Sequence, residues 1–169
     1  MVKQFLFFLL TGLTLQANGQ IQIAKLVGKN SNDYTTGYGG FLKYAYPVSE
    51  GNAISLEAGA LIFNSKADSR YGWIVVPFKA GYRYTFNQTG SGFYVEPQLG
   101  YNVYGLDPEE QKFHGVILGA GTGYIFQPIA GTIQFDLGLR YESVVYKGNT
   151  VNYVSVRLTH NFSIGKRQE

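Results

Sequence analysis

The sequence contains no cysteine, and this absence excludes several kinds of site. Without cysteine the chain can form no disulfide bond, no thiolate metal site and no lipid anchor on an N-terminal cysteine. Histidine is also scarce: His114 and His160 are the only two, and neither lies in a metal-ligand spacing such as His-Glu-x-x-His. We therefore predict neither a metal nor a cofactor.

Charged residues are few as well, at 15% of the chain, and they leave a net charge of +3. Such a small excess of basic residues does not predict a nucleic acid as a partner. The chain is instead rich in aromatic residues, at 16%, and in glycine, with 22 residues. This composition is typical of a β-barrel that has aromatic girdles outside and a crowded interior.

Long apolar runs are absent except at the N terminus. There, residues 5–15 are almost entirely apolar; Lys3 precedes them and small residues follow. A positive start, a short apolar core and small residues at its end are the pattern of a secretory signal peptide. We predict a signal peptide over residues 1–19, cleaved before Gln20, and a single domain over residues 20–169. Because no other segment reaches the roughly 20 apolar residues of a spanning helix, any membrane crossing must use strands.

Eight segments of the mature chain alternate between apolar and polar side chains with a period of two, as strands with one apolar face do. They cover residues 20–28, 36–48, 53–64, 72–86, 92–106, 113–126, 132–146 and 151–164. Most of them reach the roughly 9 to 11 residues of a tilted membrane-spanning strand. The connections between them alternate between compact turns and longer loops in all but one case, as in bacterial outer-membrane barrels. The pattern predicts an all-β fold, an eight-stranded antiparallel up-and-down transmembrane β-barrel.

From the second segment onward, every charged residue within a strand falls on the polar face. These nine residues are Lys43, Glu57, Lys79, Arg83, Glu96, Asp136, Arg140, Glu142 and Arg157. An eight-stranded barrel has little interior space, so the small polar face should point inward and the large apolar face outward. The first segment contains Lys25, and its two faces are not assigned.

The nine inward charges comprise five cations and four carboxylates, and we expect them to pair. Folding neighbouring strands together brings Lys43 close to Glu57 and Arg83 close to Glu96. The last hairpin should place Arg157 near Arg140 and diagonally near Glu142. Because a buried charge without a partner is very costly, we predict a paired network that plugs the lumen and leaves no continuous water channel.

Aromatic residues cluster toward the ends of the strands at the predicted periplasmic side. This candidate girdle consists of Tyr44, Tyr46, Tyr82, Tyr84, Tyr124, Phe126 and Phe162. Amphipathic rings prefer the level of the lipid headgroups, so the cluster is typical of a membrane interface.

Two groups of residues are candidate sites for chemistry, and each has a simpler structural interpretation. Ser163 follows His160 closely, but no acid on that face could orient the histidine as a hydrolytic triad requires, and we predict no enzymatic activity. Asp107, Glu109 and Glu110 have the oxygen ligands of a divalent cation, although a solvated acidic turn explains them more simply.

The sequence resembles the small outer-membrane β-barrels common in Bacteroidota and, more loosely, the OmpA-type eight-stranded barrel. The resemblance rests on the signal-like N terminus, on residues 76–84 (VPFKAGYRY) leading to residues 92–97 (GFYVEP), and on a last strand that ends in Phe162. It implies a place in the bacterial outer membrane and a structural or protein-interaction role in the envelope. Outer-membrane lipid, the barrel-insertion machinery and an envelope protein complex are the expected partners. A small-solute channel and a soluble, lipocalin-like ligand carrier remain as alternatives.

Overall fold

The chain forms a closed barrel of antiparallel β-strands in the computed structural model, with each strand paired to the next and the last paired to the first. The structure describes residues 18–28, 31–66, 72–88, 90–106, 112–129 and 133–162. The strands are β1 (Asn18–Val27), β2 (Gly37–Ser49), β3 (Asn52–Phe63), β4 (Trp73–Thr85), β5 (Gly92–Leu106), β6 (Lys112–Ile129), β7 (Ile133–Tyr146) and β8 (Asn149–Phe162). The predicted eight-stranded up-and-down barrel is confirmed. The described residues include no helix with the length and apolar character needed to cross a membrane.

The predicted signal peptide lies outside the described residues except for Asn18 and Gly19, and it stays a prediction. These two residues begin β1, where they pair with Lys43 and Leu42 of β2. Cleavage before Gln20 would therefore remove the first two residues of β1 as the structure has it.

Side chains alternate between the interior and the outer wall along every strand. In β4, for example, Lys79 and Arg83 are buried, whereas Phe78 and Tyr82, the residues just before them, are exposed on the outer wall. The alternation also assigns β1, whose faces the sequence left open: Gln20, Gln22, Ala24 and Leu26 point inward, and Ile21, Ile23 and Lys25 point outward.

The interior is divided into two layers, and the sequence predicted only one of them. The end of the barrel that carries the longer connections is filled by buried apolar residues, namely Ala24, Leu26, Phe41, Leu61, Phe63, Trp73, Val75, Phe113, Ile117, Val144, Val151 and Tyr153. We call these residues the apolar cap. Aromatic rings pack at its centre, with the ring centroids of Trp73 and Phe113 5.4 Å apart. The sequence identified only the charged layer and did not predict this apolar one.

A bulge between β4 and β5 is stabilised by Asn102, whose side chain is fully buried. The strand register shifts next to Pro77, which has no N–H to contribute to the ladder. The side-chain oxygen of Asn102 accepts a hydrogen bond from the backbone N–H of Val76 at 2.9 Å, and its amide nitrogen donates to the carbonyl of Phe113 at 3.3 Å. One amide side chain thus replaces ladder hydrogen bonds that the bulge removes.

Glycine allows close approach between strands at some positions but not at others. A Cβ added to Gly39 would overlap the carbonyl oxygen of Ala60 on β3, and the obstacle is backbone that cannot rotate away. A Cβ added to the neighbouring Gly40 would meet no atom within 4 Å. The pair therefore offers a matched test of packing within one strand.

We expect Gly39→Ala to lower the free energy of unfolding by about 1–3 kcal/mol, because the added methyl group overpacks the interior and displaces β2 from β3. Gly40→Ala should change it by no more than about 0.5 kcal/mol. Urea titration of the two variants in the same detergent measures both values. Equal stabilities would show that the β2–β3 spacing does not depend on glycine at residue 39.

Candidate functional site: the charged belt inside the barrel

The second layer of the interior is a belt of ionised side chains, and it contains all nine residues that the sequence placed on the polar face. They come from six strands: Lys43 on β2, Glu57 on β3, Lys79 and Arg83 on β4, Glu96 on β5, Asp136, Arg140 and Glu142 on β7, and Arg157 on β8. All nine are buried, and the most exposed of them, Arg83, keeps 5% of its surface. We call these nine residues the charged belt. Its members meet at the centre of the barrel rather than along the wall.

Glu96 is the principal acceptor of the charged belt. Five side chains donate hydrogen bonds to its carboxylate: Lys43, Ser55, Arg83, Gln98 and Arg157. The ion pairs measure 2.8 Å to Lys43, 2.9 Å to Arg83 and 3.1 Å to Arg157. Because these donors come from β2, β3, β4, β5 and β8, the carboxylate ties strands on different sides of the barrel together.

Glu57 forms a second centre. Its carboxylate lies 2.7 Å from Lys79 Nζ and 2.9 Å from Arg140 Nη1. Lys79 also binds Glu142 at 2.6 Å, so that one ammonium group lies between two carboxylates. Arg157 Nη1 lies 3.5 Å from Glu57 and thereby links this centre to the one at Glu96.

Tyr94 is a member of the site that the sequence analysis missed. Its hydroxyl donates a short hydrogen bond to Asp136 and accepts one from Arg157 Nη2 at 2.8 Å. The guanidinium of Arg83 lies over its ring, 4.1 Å from the centroid, and also binds Asp136 at 2.6 Å. The sequence could have indicated it, because Tyr94 is two residues before Glu96 on β5 and alternate residues of a strand share a face.

Two glycines make room for that hydroxyl. A Cβ on Gly123 of β6 or on Gly138 of β7 would fall against the Tyr94 oxygen, so both strands depend on glycine to accommodate the ring. Glycine on the inner face is thus part of the site, since it gives space to the long charged and aromatic side chains opposite.

Both predicted cross-strand neighbours, Lys43–Glu57 and Arg83–Glu96, lie opposite each other, but an ion pair joins only the second pair. Arg83 and Glu96 pair as expected. Lys43 stands opposite Glu57 in the β2–β3 register, but its ion pair is with Glu96 across the lumen. Long side chains in a narrow barrel can reach the opposite wall, so the nearest carboxylate need not belong to the neighbouring strand.

The predicted carboxylate partner of Arg157, Glu142, is wrong. Arg157 stands opposite Gly138, and its carboxylate partners are Glu96 and Glu57 rather than Glu142. Arg140 lies 3.9 Å from Glu142 but much closer, at 2.9 Å, to Glu57. Carboxylates do separate the two arginines, but they come from β3 and β5.

The candidate aromatic girdle lies on the outside of the barrel. Tyr46, Tyr82, Tyr84, Tyr124 and Phe126 are exposed, Tyr44 is half-buried, and the side chain of Phe162 falls outside the described part of the chain. Further rings extend it, as shown by centroid distances of 5.3 Å for Tyr84–Phe86 and 4.8 Å for Phe93–Tyr124. Phe135 packs against His160 at 5.0 Å in the same region.

The candidate chemical sites are only partly within the described residues. His114 is exposed on the outer wall near the start of β6, far along the chain from His160 near the end of β8. Ser163 and the acidic loop Asp107, Glu109 and Glu110 lie outside the described residues. Within the ranges that are described, no group of three or more His, Asp or Glu side chains is arranged to hold a metal ion.

Comparison with known proteins shows similarity at the level of fold. No protein-family model matches the sequence, and no curated protein matches it either. Neisserial surface protein A (NspA) is similar in structure, with a TM-score of 0.68 and 14% sequence identity over 88% of this chain and 96% of that one. Ail, the attachment invasion locus protein of Yersinia pestis, has a TM-score of 0.57 and 14% identity over 87% of this chain and 97% of its own. Both are small eight-stranded outer-membrane β-barrels.

We expect Glu96→Gln to be strongly destabilising, by about 3–5 kcal/mol, because it leaves several buried cations without their main carboxylate. Adding Lys43→Met should recover about 1 kcal/mol or more, since Glu96 is the carboxylate that Lys43 binds and the double variant removes one of the orphaned charges. Urea titrations of the two single variants and the double variant give the coupling energy.

Glu50→Gln provides the control for this experiment. Glu50 is exposed in the turn between β2 and β3, and its loss should change the free energy of unfolding by no more than about 0.5 kcal/mol. A Glu96→Gln variant as stable as Glu50→Gln would contradict the central place of Glu96 in the charged belt.

Proposed function

We propose that the chain is an integral β-barrel of the bacterial outer membrane, exported by a cleaved signal peptide, and that its closed lumen suits it to a structural or protein-interaction role in the envelope. The observation that carries the proposal is the inverted distribution of polarity. Charged residues are collected at the centre of the barrel, while large apolar side chains cover its outside. This is the arrangement that a hydrocarbon solvent requires.

The outer wall is apolar around its whole circumference. Leu42 on β2, Phe78 on β4 and Leu99 on β5 keep 59%, 52% and 59% of their surface exposed. Leu118 on β6 and Leu139 on β7 continue the band with 53% and 59%. Soluble monomers rarely expose a contiguous apolar patch larger than a few hundred Å², whereas lipid solvates such a surface at no cost.

The two interior layers support a closed lumen rather than a channel. The charged belt crosses the barrel at the level of Glu57 and Glu96, and the apolar cap fills the end with the longer connections. Eight strands enclose a space that side chains can fill, whereas water-filled porins need about 16 to 18 strands. The small-solute channel therefore becomes the second candidate.

The soluble ligand carrier is the third candidate, and the direction of the side chains argues against it. A carrier of that class keeps an apolar cavity inside and a charged surface outside. Here the ion pairs occupy the interior, and the apolar residues face outward. The resemblance of the sequence to small Bacteroidota barrels supports an origin in that group and suggests lipid, the insertion machinery and an envelope complex as partners. We propose no enzymatic activity.

Membrane residence predicts heat-modifiable mobility on detergent gels and extraction from membranes only by detergent, because the barrel persists in SDS until it is heated. Leu99→Arg places a charge at the middle of β5 and should reduce folding into bilayers by about 2–4 kcal/mol. Asn149→Arg, at the exposed first residue of β8, should fold normally. Unheated and heated samples that migrate alike, together with a freely soluble Leu99→Arg protein, would favour the carrier.

A closed lumen predicts that the purified protein produces no stable conductance in planar lipid bilayers. The reason is that the charged belt and the apolar cap leave no continuous path for hydrated ions. A large porin inserted into the same bilayer serves as the positive control. Reproducible unitary currents from the wild-type barrel would contradict the closed lumen and support the small-solute channel.

A further inference from the structure

Lys25 is the charged residue that breaks the rule followed by the charged belt. It lies on the exposed, outward face of β1, whereas the belt residues all point inward. Lys112 is the other outward lysine of the described strands, and it is the first residue of β6. None of the ion pairs found among the described residues involves Lys25. A lysine on the lipid face of a barrel is unfavourable unless it reaches the interface or a partner, so it requires an explanation.

A groove runs across the outer wall beside Lys25, with a volume of about 710 Å³. Two adjacent rows of outward residues from β1, β8, β7 and β6 form it. The upper row is Lys25, Val154, Tyr141 and Ala120, and the lower row is Ile23, Val156, Leu139 and Thr122. The small side chains of Ala120 and Thr122 leave a depression in the outer wall, and the larger side chains of Leu139 and Tyr141 project beside it. Apart from Lys25 and the hydroxyls of Thr36, Thr122 and Tyr141, the outward side chains of the groove are hydrocarbon or small. Arg140 and Ser155 also line it, but their side chains are buried in the interior.

The position of Lys25 relates the groove to the membrane surface. It is two residues before the end of β1, and the pairing of β1 with β2 ends one residue earlier, at Ala24 and Gly37. Its flexible stem can therefore extend the ammonium group toward the headgroup level, while the groove continues across the apolar wall. The site thus has a cationic end at Lys25 and an apolar body.

We propose that this groove binds one membrane lipid with an anionic phosphate headgroup, with Lys25 contacting the phosphate and an acyl chain lying along the two rows. The inference rests on the proposed membrane residence of the barrel. Charge complementarity selects the headgroup, because Lys25 is the one lining cation whose side chain faces outward, Arg140 being buried and paired with Glu57, and no carboxylate lines the groove. The open apolar surface of the groove gives a hydrocarbon chain a wall to lie along.

Native mass spectrometry of the full-length protein, released from nanodiscs of phosphatidylcholine and phosphatidylglycerol in equal amounts, tests the proposal. The wild type should retain one phosphatidylglycerol in preference to phosphatidylcholine by about fivefold, the effect of a single lysine near an anionic lipid surface. Lys25→Gln should abolish the preference, and Lys25→Arg should keep it. Lys112→Gln, which removes the other outward lysine, should leave the preference unchanged.

Two further arms separate the groove from simple electrostatics. Ala120→Phe fills the recess without touching the charge and should reduce retention of phosphatidylglycerol to the level of Lys25→Gln. Inorganic phosphate added at millimolar concentration should not displace the lipid, because the acyl chain supplies most of the contact. Displacement by phosphate alone would show a free-anion site, and a second copy of the barrel in place of lipid would show a protein interface; either result overturns the proposal.

Failure of this inference is distinguishable from failure of the proposed function. If the wild type inserts and shows heat-modifiable mobility but retains both lipids equally, the lipid site is wrong and the membrane barrel stands. If the protein does not enter nanodiscs at all, the membrane residence itself is wrong. Equal preference in the wild type and in Lys25→Gln also contradicts the role of Lys25, whatever the absolute affinity.

Discussion

Neutralisation of charge at the centre of the barrel is the constraint on which the rest of the structure depends. Glu57 and Glu96 each bind cations from several strands, and the distances of 2.7–3.1 Å at their closest contacts leave little freedom to the strands that carry them. Buried ions need partners with good geometry, because their desolvation is expensive. The carboxylates therefore define which strands face each other across the lumen and how wide the barrel can be.

The other layers follow from that arrangement. Glycines at 123 and 138 leave space for Tyr94, whose hydroxyl completes the coordination of Asp136 and Arg157. The apolar cap fills the remaining interior at one end, where no charge is available to pair. With the interior occupied by these two layers, the exterior receives the large apolar side chains. The described strands present to their surroundings a wall of hydrocarbon with exposed aromatic rings and the two outward lysines Lys25 and Lys112.

The sequence predicted the strands to within three residues of their bounds and the inward direction of all nine belt residues. It did not predict the partners of Lys43 and Arg157, because it treated pairing as a contact between neighbouring strands. It also missed Tyr94 and the apolar cap. An inward aromatic residue such as Phe113 or Trp73 follows the same alternation as an inward charged residue. The alternation therefore predicts which face it lies on but not which residues it packs against.

The two faces of every strand after the first were determined by the sequence itself, since a period of two is a property of the extended chain and needs no partner. Which charges meet was decided only by the closed barrel. Closure brings strands that are not neighbours, such as β2 and β5 or β3 and β7, within reach across the lumen, so that Lys43 and Glu96, 53 positions apart, come within 2.8 Å. The same closure aligned Lys25 with the recess at Ala120, because the register across β1, β8, β7 and β6 exists only when the first and last strands are joined.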